Sequence, residues 1–180
     1  GSSRNLVLSV VVPPNGYEPD RLNRLNVINR GTATHLDDLT DLELWADADA
    51  NHTFNATLDR WLGKMTHTGD RWEVTALDEV VPLQGLRLFV TAGIRELASE
   101  GRTIRLAIPS EVDPGLGLNS NNDGPRDAEA ANPATQTIAS ADRVTLSTVP
   151  STSTSVMPGD QDVRLMHLSA SNSYATPRSL

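Results

Sequence analysis

Cysteine is absent from the 180-residue chain, which removes disulfides, thiolate metal sites and cysteine nucleophiles together. It leaves the compartment open. Aromatic residues make up only 4%, so any core must be built mainly from Leu, Val, Ile and Ala. Lysine occurs once, at Lys64, and the remaining basic residues are arginines spread singly along the chain. With a net charge of −8, the chain has no clustered basic surface of the kind phosphates require, so nucleic acid is not expected as a partner. No apolar run approaches the roughly 20 residues that cross a bilayer as a helix, so no membrane insertion is expected. No signal peptide is visible, and Gly1-Ser2-Ser3 reads as a processed or tagged start. A helical period is also hard to find. The best stretch, 94–100, offers one or two turns before Gly101.

Thr, Ser, Asn, Asp, Val and Leu dominate, with 12 Gly and 11 Pro. Short β-branched runs between turn residues predict an all-β protein. Strands are expected at 6–12 (stopped by Pro13-Pro14), 22–29, 39–45, 60–65, 71–77, 86–94 and 103–108. Leu86, Leu88, Val90, Ala92 and Ile94 alternate cleanly, as do Ile104, Leu106 and Ile108. Strands recurring without intervening helices point to an antiparallel β-sandwich. Residues 110–141 read as a long irregular stretch with turns at Asp113-Pro114-Gly115, 119–125 and Asn132-Pro133; only 135–138 looks able to pair. Strands return at 143–149 and 162–171, around a Ser/Thr tract at 150–155. The expected organisation is a sandwich domain over 1–142 and a partial second repeat over 143–180.

The tail copies the head. Leu6-Val7-Leu8-Ser9-Val10 matches Val144-Thr145-Leu146-Ser147-Thr148 in pattern, and Leu25-Asn26-Val27-Ile28-Asn29 matches Leu168-Ser169-Ala170-Ser171-Asn172. Glu18-Pro19-Asp20 has its counterpart in Met157-Pro158-Gly159-Asp160, and Ala33-Thr34 in Ala175-Thr176; Leu36 and Leu180 close the two stretches. Only the first two strands of the unit are repeated. A two-stranded piece cannot bury an apolar face alone, so it must finish against its own domain, another copy of the chain, or a continuation.

In order along the chain stand Leu42-Glu43-Leu44-Trp45-Ala46-Asp47, an acidic loop with Phe54, and Leu88-Phe89-Val90-Thr91-Ala92-Gly93-Ile94. Asn122-Asp123-Gly124-Pro125 and Asn132-Pro133-Ala134-Thr135-Gln136-Thr137-Ile138 follow. This succession resembles the repeated Ig-like β-sandwich domains of large bacterial extracellular and surface proteins. The resemblance covers most of residues 5–140 and the start of a second unit. It implies an Ig-like sandwich with extra C-terminal strands, and adhesion or scaffolding rather than catalysis.

The loop from Asp47 to Asp59 places oxygen ligands at alternate positions. Asp47, Asp49 and Asn51 fall where an EF-hand-like loop puts its first three ligands, the Thr53 carbonyl and Asn55 follow, and Asp59 stands in for the bidentate carboxylate. A Ca²⁺ ion is therefore expected on Asp47, Asp49, Asn51, Thr53, Asn55 and Asp59. Two departures count against it: His52 replaces the glycine of the sharp turn, and Leu58 occupies the position of the Glu. The alternative is an acidic hairpin loop whose Asx side chains satisfy its own backbone. Asn51-His52-Thr53 and Asn55-Ala56-Thr57 are also glycosylation sequons. The run 121–125 with Asp127 reads as a turn in preference to a second ion site.

Trp45, Trp61 and Trp72 offer either a stacking platform for sugar rings or packing along sheet edges and under the acidic loop, the commoner use of such residues. His35, His52, His67 and His167 show no metal-ligand spacing, and neither a nucleophile elbow nor a phosphate-cradling glycine loop is present. An intramolecular isopeptide would have to use Lys64. The expectation is a non-catalytic extracellular or cell-surface module, assembling with copies of itself through the C-terminal strands into a fibre or stalk. A carbohydrate-binding module of a secreted protein and a viral decoration subunit are the alternatives.

Overall fold

The structure, a computed structural model, describes residues 1–110, 115–139, 144–149, 155, 157–161 and 166–172. Part of the expected Asp113-Pro114-Gly115 turn, most of the Ser/Thr tract, the start of the last expected strand, and the counterparts Ala175-Thr176 and Leu180 lie outside the described residues. Two compact units emerge, Gly1–Ile138 and Ala139–Leu180.

The first unit is an all-β antiparallel sandwich, the class its alternating sequence predicts. One layer runs β1 (Ser2–Val12), β7 (Leu86–Ile94), β3 (Leu39–Ala46) and β4 (Arg60–Thr68). The other runs β4, β5 (Arg71–Val74), β2 (Asp20–Asn29), β9 (Leu106–Ile108) and β11 (Ala130–Ala131). Strand β4 belongs to both: Arg60 to Met65 pair with β3, whereas Thr66 to Thr68 pair with β5. A strand that changes sheets in this way makes the corner of a sandwich.

Each long edge of β2 is followed by a broken strand. Along one, β5 continues into β6 (Glu79–Val81) after Ala76, whose left-handed φ of 56° interrupts the pleat. This is why the strand expected over 71–77 stops at Val74. Along the other, β9 continues into β10 (Leu116–Leu118). The strand expected over 103–108 divides at Arg105, whose amide is taken by the Asn29 side chain at 2.9 Å. Its first part, β8 (Thr103–Ile104), pairs instead with β12 (Gln136–Thr137). The stretch 110–141 is thus not a plain loop, because it supplies β10, β11 and β12. No helix forms over 94–100; there the Arg95 and Ser99 amides donate to the Asp38 carbonyl and carboxylate, both at 2.9 Å.

Leu22, Leu25 and Val27 of β2 meet Leu42 and Leu44 of β3, Leu88 and Val90 of β7, and Leu106 of β9, all fully buried. The central strand β7 is buried on both faces. Its outward Phe89 and Thr91 are 0% and 1% exposed: Phe54 of the acidic loop folds back over Phe89, and the Trp45 indole lies on Thr91. The free edge of β1 is closed by side chains: Asn132 and Gln136 donate their amides to the Val7 and Leu6 carbonyls, both at 2.8 Å.

In the second unit β13 (Val144–Val149) pairs antiparallel with β14 (His167–Asn172), from Val144↔Asn172 to Val149↔His167. In the head, the counterparts β1 and β2 lie in different sheets and pair with β7 and β5. The tail strands pair with each other.

Candidate functional site

The acidic loop joins β3 to β4, and its local fold follows from its Asx residues. Asp49 Oδ1 accepts the Asn51 amide at 3.2 Å, Asn51 Oδ1 the Thr53 amide at 2.6 Å, and Asn55 Oδ1 the Thr57 amide at 3.0 Å. Each is a side-chain oxygen taking the N–H two residues on, the pattern that makes Asx turns. Ala50 and His52 adopt left-handed φ of 55° and 65°, so His52 has the conformation for which the glycine was expected. Asp47 Oδ2 reaches across to the His52 amide at 3.0 Å, and Asp59 holds both ends of the loop through the Ala48 amide at 3.3 Å and the Asn55 amide at 2.6 Å.

These turns bring one carboxylate oxygen each of Asp47, Asp49 and Asp59 within 4.8 Å of one another. Asp59 is buried, whereas Leu58 is 56% exposed and points away. Asn51 and Asn55, also expected as ligands with Thr53, have their side-chain oxygens hydrogen-bonded to the loop backbone. Among the described residues no ion pair forms with the three carboxylates, and Asp47 Oδ1 is buried without a hydrogen-bond partner. Carboxylates this close repel one another unless a cation or proton is shared between them. The set suits a hard divalent cation, which takes carboxylate oxygens.

Phe54 anchors the loop. Its ring meets Trp45 edge-on at 5.4 Å and Phe89 at 5.8 Å. Trp45 donates Nε1–H to Thr91 Oγ1 at 3.2 Å, and the Arg4 guanidinium lies 5.2 Å from its ring centroid. Trp45 and Trp72 are each 3% exposed and only Trp61, at 53%, is open, so the coplanar exposed pair that a sugar platform requires does not form. Both sequon asparagines are exposed, with Asn51 Nδ2 donating to Asp49 Oδ2 at 2.6 Å.

The 119–124 loop satisfies itself. Asp123 Oδ1 accepts the Leu118 amide at 2.8 Å, and the Ser120 hydroxyl donates to Asp20. Burial raises the Asp20 carboxyl, but the hydrogen bonds from Ser120 and the Arg21 amide outweigh it and leave it below its ordinary value. Lys64 is paired with Asp41 at 3.0 Å, with 61% of the lysine side chain exposed. Burial raises Asp41; hydrogen bonds from Lys64 and Thr40 and the lysine charge bring it below the ordinary value.

Sequence spacing missed one cluster. His35 and His67, far apart in the chain, stack with ring centroids 4.3 Å apart. The β4–β5 register, which sets His67 opposite Trp72, and the path of the β2–β3 connection that carries His35 together bring them into contact.

Comparison with known proteins gives no match: no family model, curated protein or solved structure aligns with the chain. The likeness to Ig-like surface repeats rests on the sequence motifs alone.

Proposed function

We propose that the chain is a non-catalytic structural module of the cell exterior that joins copies of itself through its C-terminal strands. The observation that carries this reading is the face of the β13–β14 hairpin. Leu146 lies opposite Ala170 and Thr148 opposite Leu168, so these side chains share one face. Leu146 is 66% exposed, Leu168 55% and the neighbouring Met166 60%. An isolated two-stranded hairpin is marginal in water, and its unpaired edges invite another strand. Addition to a neighbouring copy satisfies both needs, and a head-to-tail contact that does not close propagates a filament. The test is deletion of residues 143–180. Full-length protein should form filaments or higher oligomers by electron microscopy and sedimentation, and the truncated protein should be monomeric. Assembly of the truncated protein, or a monodisperse full-length monomer at high concentration, overturns the reading.

We further propose that Ca²⁺ occupies the Asp47–Asp49–Asp59 triad. Its support is the convergence of three carboxylates and the buried Asp47 Oδ1 that lacks a hydrogen-bond partner. So few protein ligands make a weak site, of the kind filled at the millimolar calcium found outside cells. Calcium at a hundredfold excess over Kd stabilises the native state by about 2.7 kcal/mol. Chelation should lower Tm by several degrees, and Asp49→Ala should abolish that response. Identical melting curves with and without chelator refute the site.

A further inference from the structure

At the end of the sandwich opposite the acidic loop, His35 stands in the connection from β2 to β3, while His67 and Trp72 face each other across the β4–β5 hairpin. The two imidazoles stack at 4.3 Å with their planes 23° apart, and the indole meets them edge-on at 4.5 Å and 4.7 Å. Trp72 is buried, at 3% exposure. Beside the stack is a cavity of about 350 Å³, bounded also by Asn29, Thr34, Leu39 and Asp70. His35 Nδ1 is buried and has no hydrogen-bond partner.

The charged groups around this pair do not neutralise it. On His35's own connection, the Asp37 carboxylate accepts the Thr34 hydroxyl at 3.0 Å, and that of Asp38 the Thr34 and Ser99 amides at 2.9 Å. In the β4–β5 turn, Asp70 lines the cavity but faces solvent, with 85% of its side chain exposed, and Arg71 Nε lies 3.5 Å away. Asn29 of β2 is neutral and gives its amide N–H to the Ala33 carbonyl at 2.9 Å. Among the described residues no carboxylate forms an ion pair with either imidazole. A proton on His35 must be buried without a counter-ion, and charge on both stacked rings places like charges face to face.

We propose that the stacked His35–His67 pair is an acid-sensitive latch. Neutral rings hold residues 34–38 against the β4–β5 hairpin through His35, and protonation in a mildly acidic medium releases that segment and opens the cavity, while Arg30, Thr32 and Ala33 stay tied to Arg105 and Thr103. Burial, and after it the neighbouring His67 charge, hold His35 below the ordinary histidine value. A histidine depressed in the folded state contributes stability above the unfolded value of about 6.5, and that contribution is lost as pH falls from there toward the folded value. This inference does not depend on the assembly or calcium readings.

The experiment follows full-length protein from pH 7.5 to 5.0. Imidazole resonances are titrated by NMR, and thermal melts are compared among wild type, His35→Phe, His67→Phe and the exposed-site control His52→Gln/His167→Gln. Wild type and control should lose about 3–5 °C of Tm for each unit by which His35 is depressed; the phenylalanine variants, which keep an aromatic stack, should lose less. Amide exchange over residues 34–38, corrected for the intrinsic rate, should rise several-fold at pH 5.0 in wild type and the control, and not in the phenylalanine variants. A His35 midpoint at or above about 6.5, or melting profiles of the Phe variants parallel to wild type, overturns the latch. The wild-type titration decides the matter if a variant fails to fold.

Discussion

Replacing Phe54 by Ala tests whether the acidic loop is held by aromatic packing or by its own turns. Phe54 is half-buried, and its ring closes over Trp45 at 5.4 Å and Phe89 at 5.8 Å. Complete burial of a Phe side chain is worth about 1.5–3 kcal/mol, so a half-buried ring contributes about 1–2 kcal/mol. Each edge-to-face pair adds about 0.5–1.5 kcal/mol. The expected cost of Phe54→Ala is about 2–5 kcal/mol, a fall in Tm of roughly 10 °C for a domain of this size. Leu58→Ala, in the same loop at a position 56% exposed, should change stability by no more than about 0.5 kcal/mol. Phe54→Leu keeps most of the apolar area and loses the ring pairs, and should fall between them. Thermal melts by circular dichroism in calcium and in chelator read both stability and ion response. The calcium increment should shrink in Phe54→Ala, because the anchor of the loop that carries Asp49 is gone. If Phe54→Ala melts with Leu58→Ala, the aromatic anchor contributes nothing and the Asx turns alone hold the loop.

Gly31→Ala should destabilise by about 3 kcal/mol or more, since a Cβ there would lie on the Thr103 carbonyl and backbone cannot yield cheaply; urea unfolding measures it. Removing both amides that cap the β1 edge, in Asn132→Ala/Gln136→Ala, should cost about 1–3 kcal/mol and increase light scattering and thioflavin binding, because the bared edge invites pairing. Asp38 is 1% exposed; burial raises its carboxyl, but the Thr34 and Ser99 amides, with the Arg102 charge, outweigh it and bring it below the ordinary value. A depressed carboxylate stabilises above the unfolded value of about 3.9 and loses that contribution as pH falls through the folded value. Asp38→Asn should therefore be less stable at pH 7 and lose less than wild type between pH 5 and 2, as urea midpoints across that range would show.

Alternation along a strand is a local property, legible in the order of residues alone. Leu86 through Ile94 reads as a strand and is one, with the same ends, because the period-two pattern records which side chains enter the core. The all-β class and the strand boundaries on either side of Asp47–Asp59 follow from the same signal, as do the oxygen-rich positions within that loop. Which partner each strand takes is a non-local matter. The tertiary structure alone decided that β1 pairs with β7, that β4 crosses between layers, and that strands of two or three residues such as β10 and β11 exist; the pairing expected within 135–138 is β12. Strands as short as β10 and β11 cannot carry a period, and form because the longer β2 and β9 present free backbone groups to them. Spacing alone did not show that Asp47, Asp49 and Asp59 bring carboxylate oxygens within 4.8 Å of one another, nor that these three and Asn51 and Asn55 all accept amides of their own loop. Both depend on the path the folded loop takes. The His35–His67 stack was invisible for the same reason: two residues distant in sequence meet only when hairpin register and loop path are both fixed by packing.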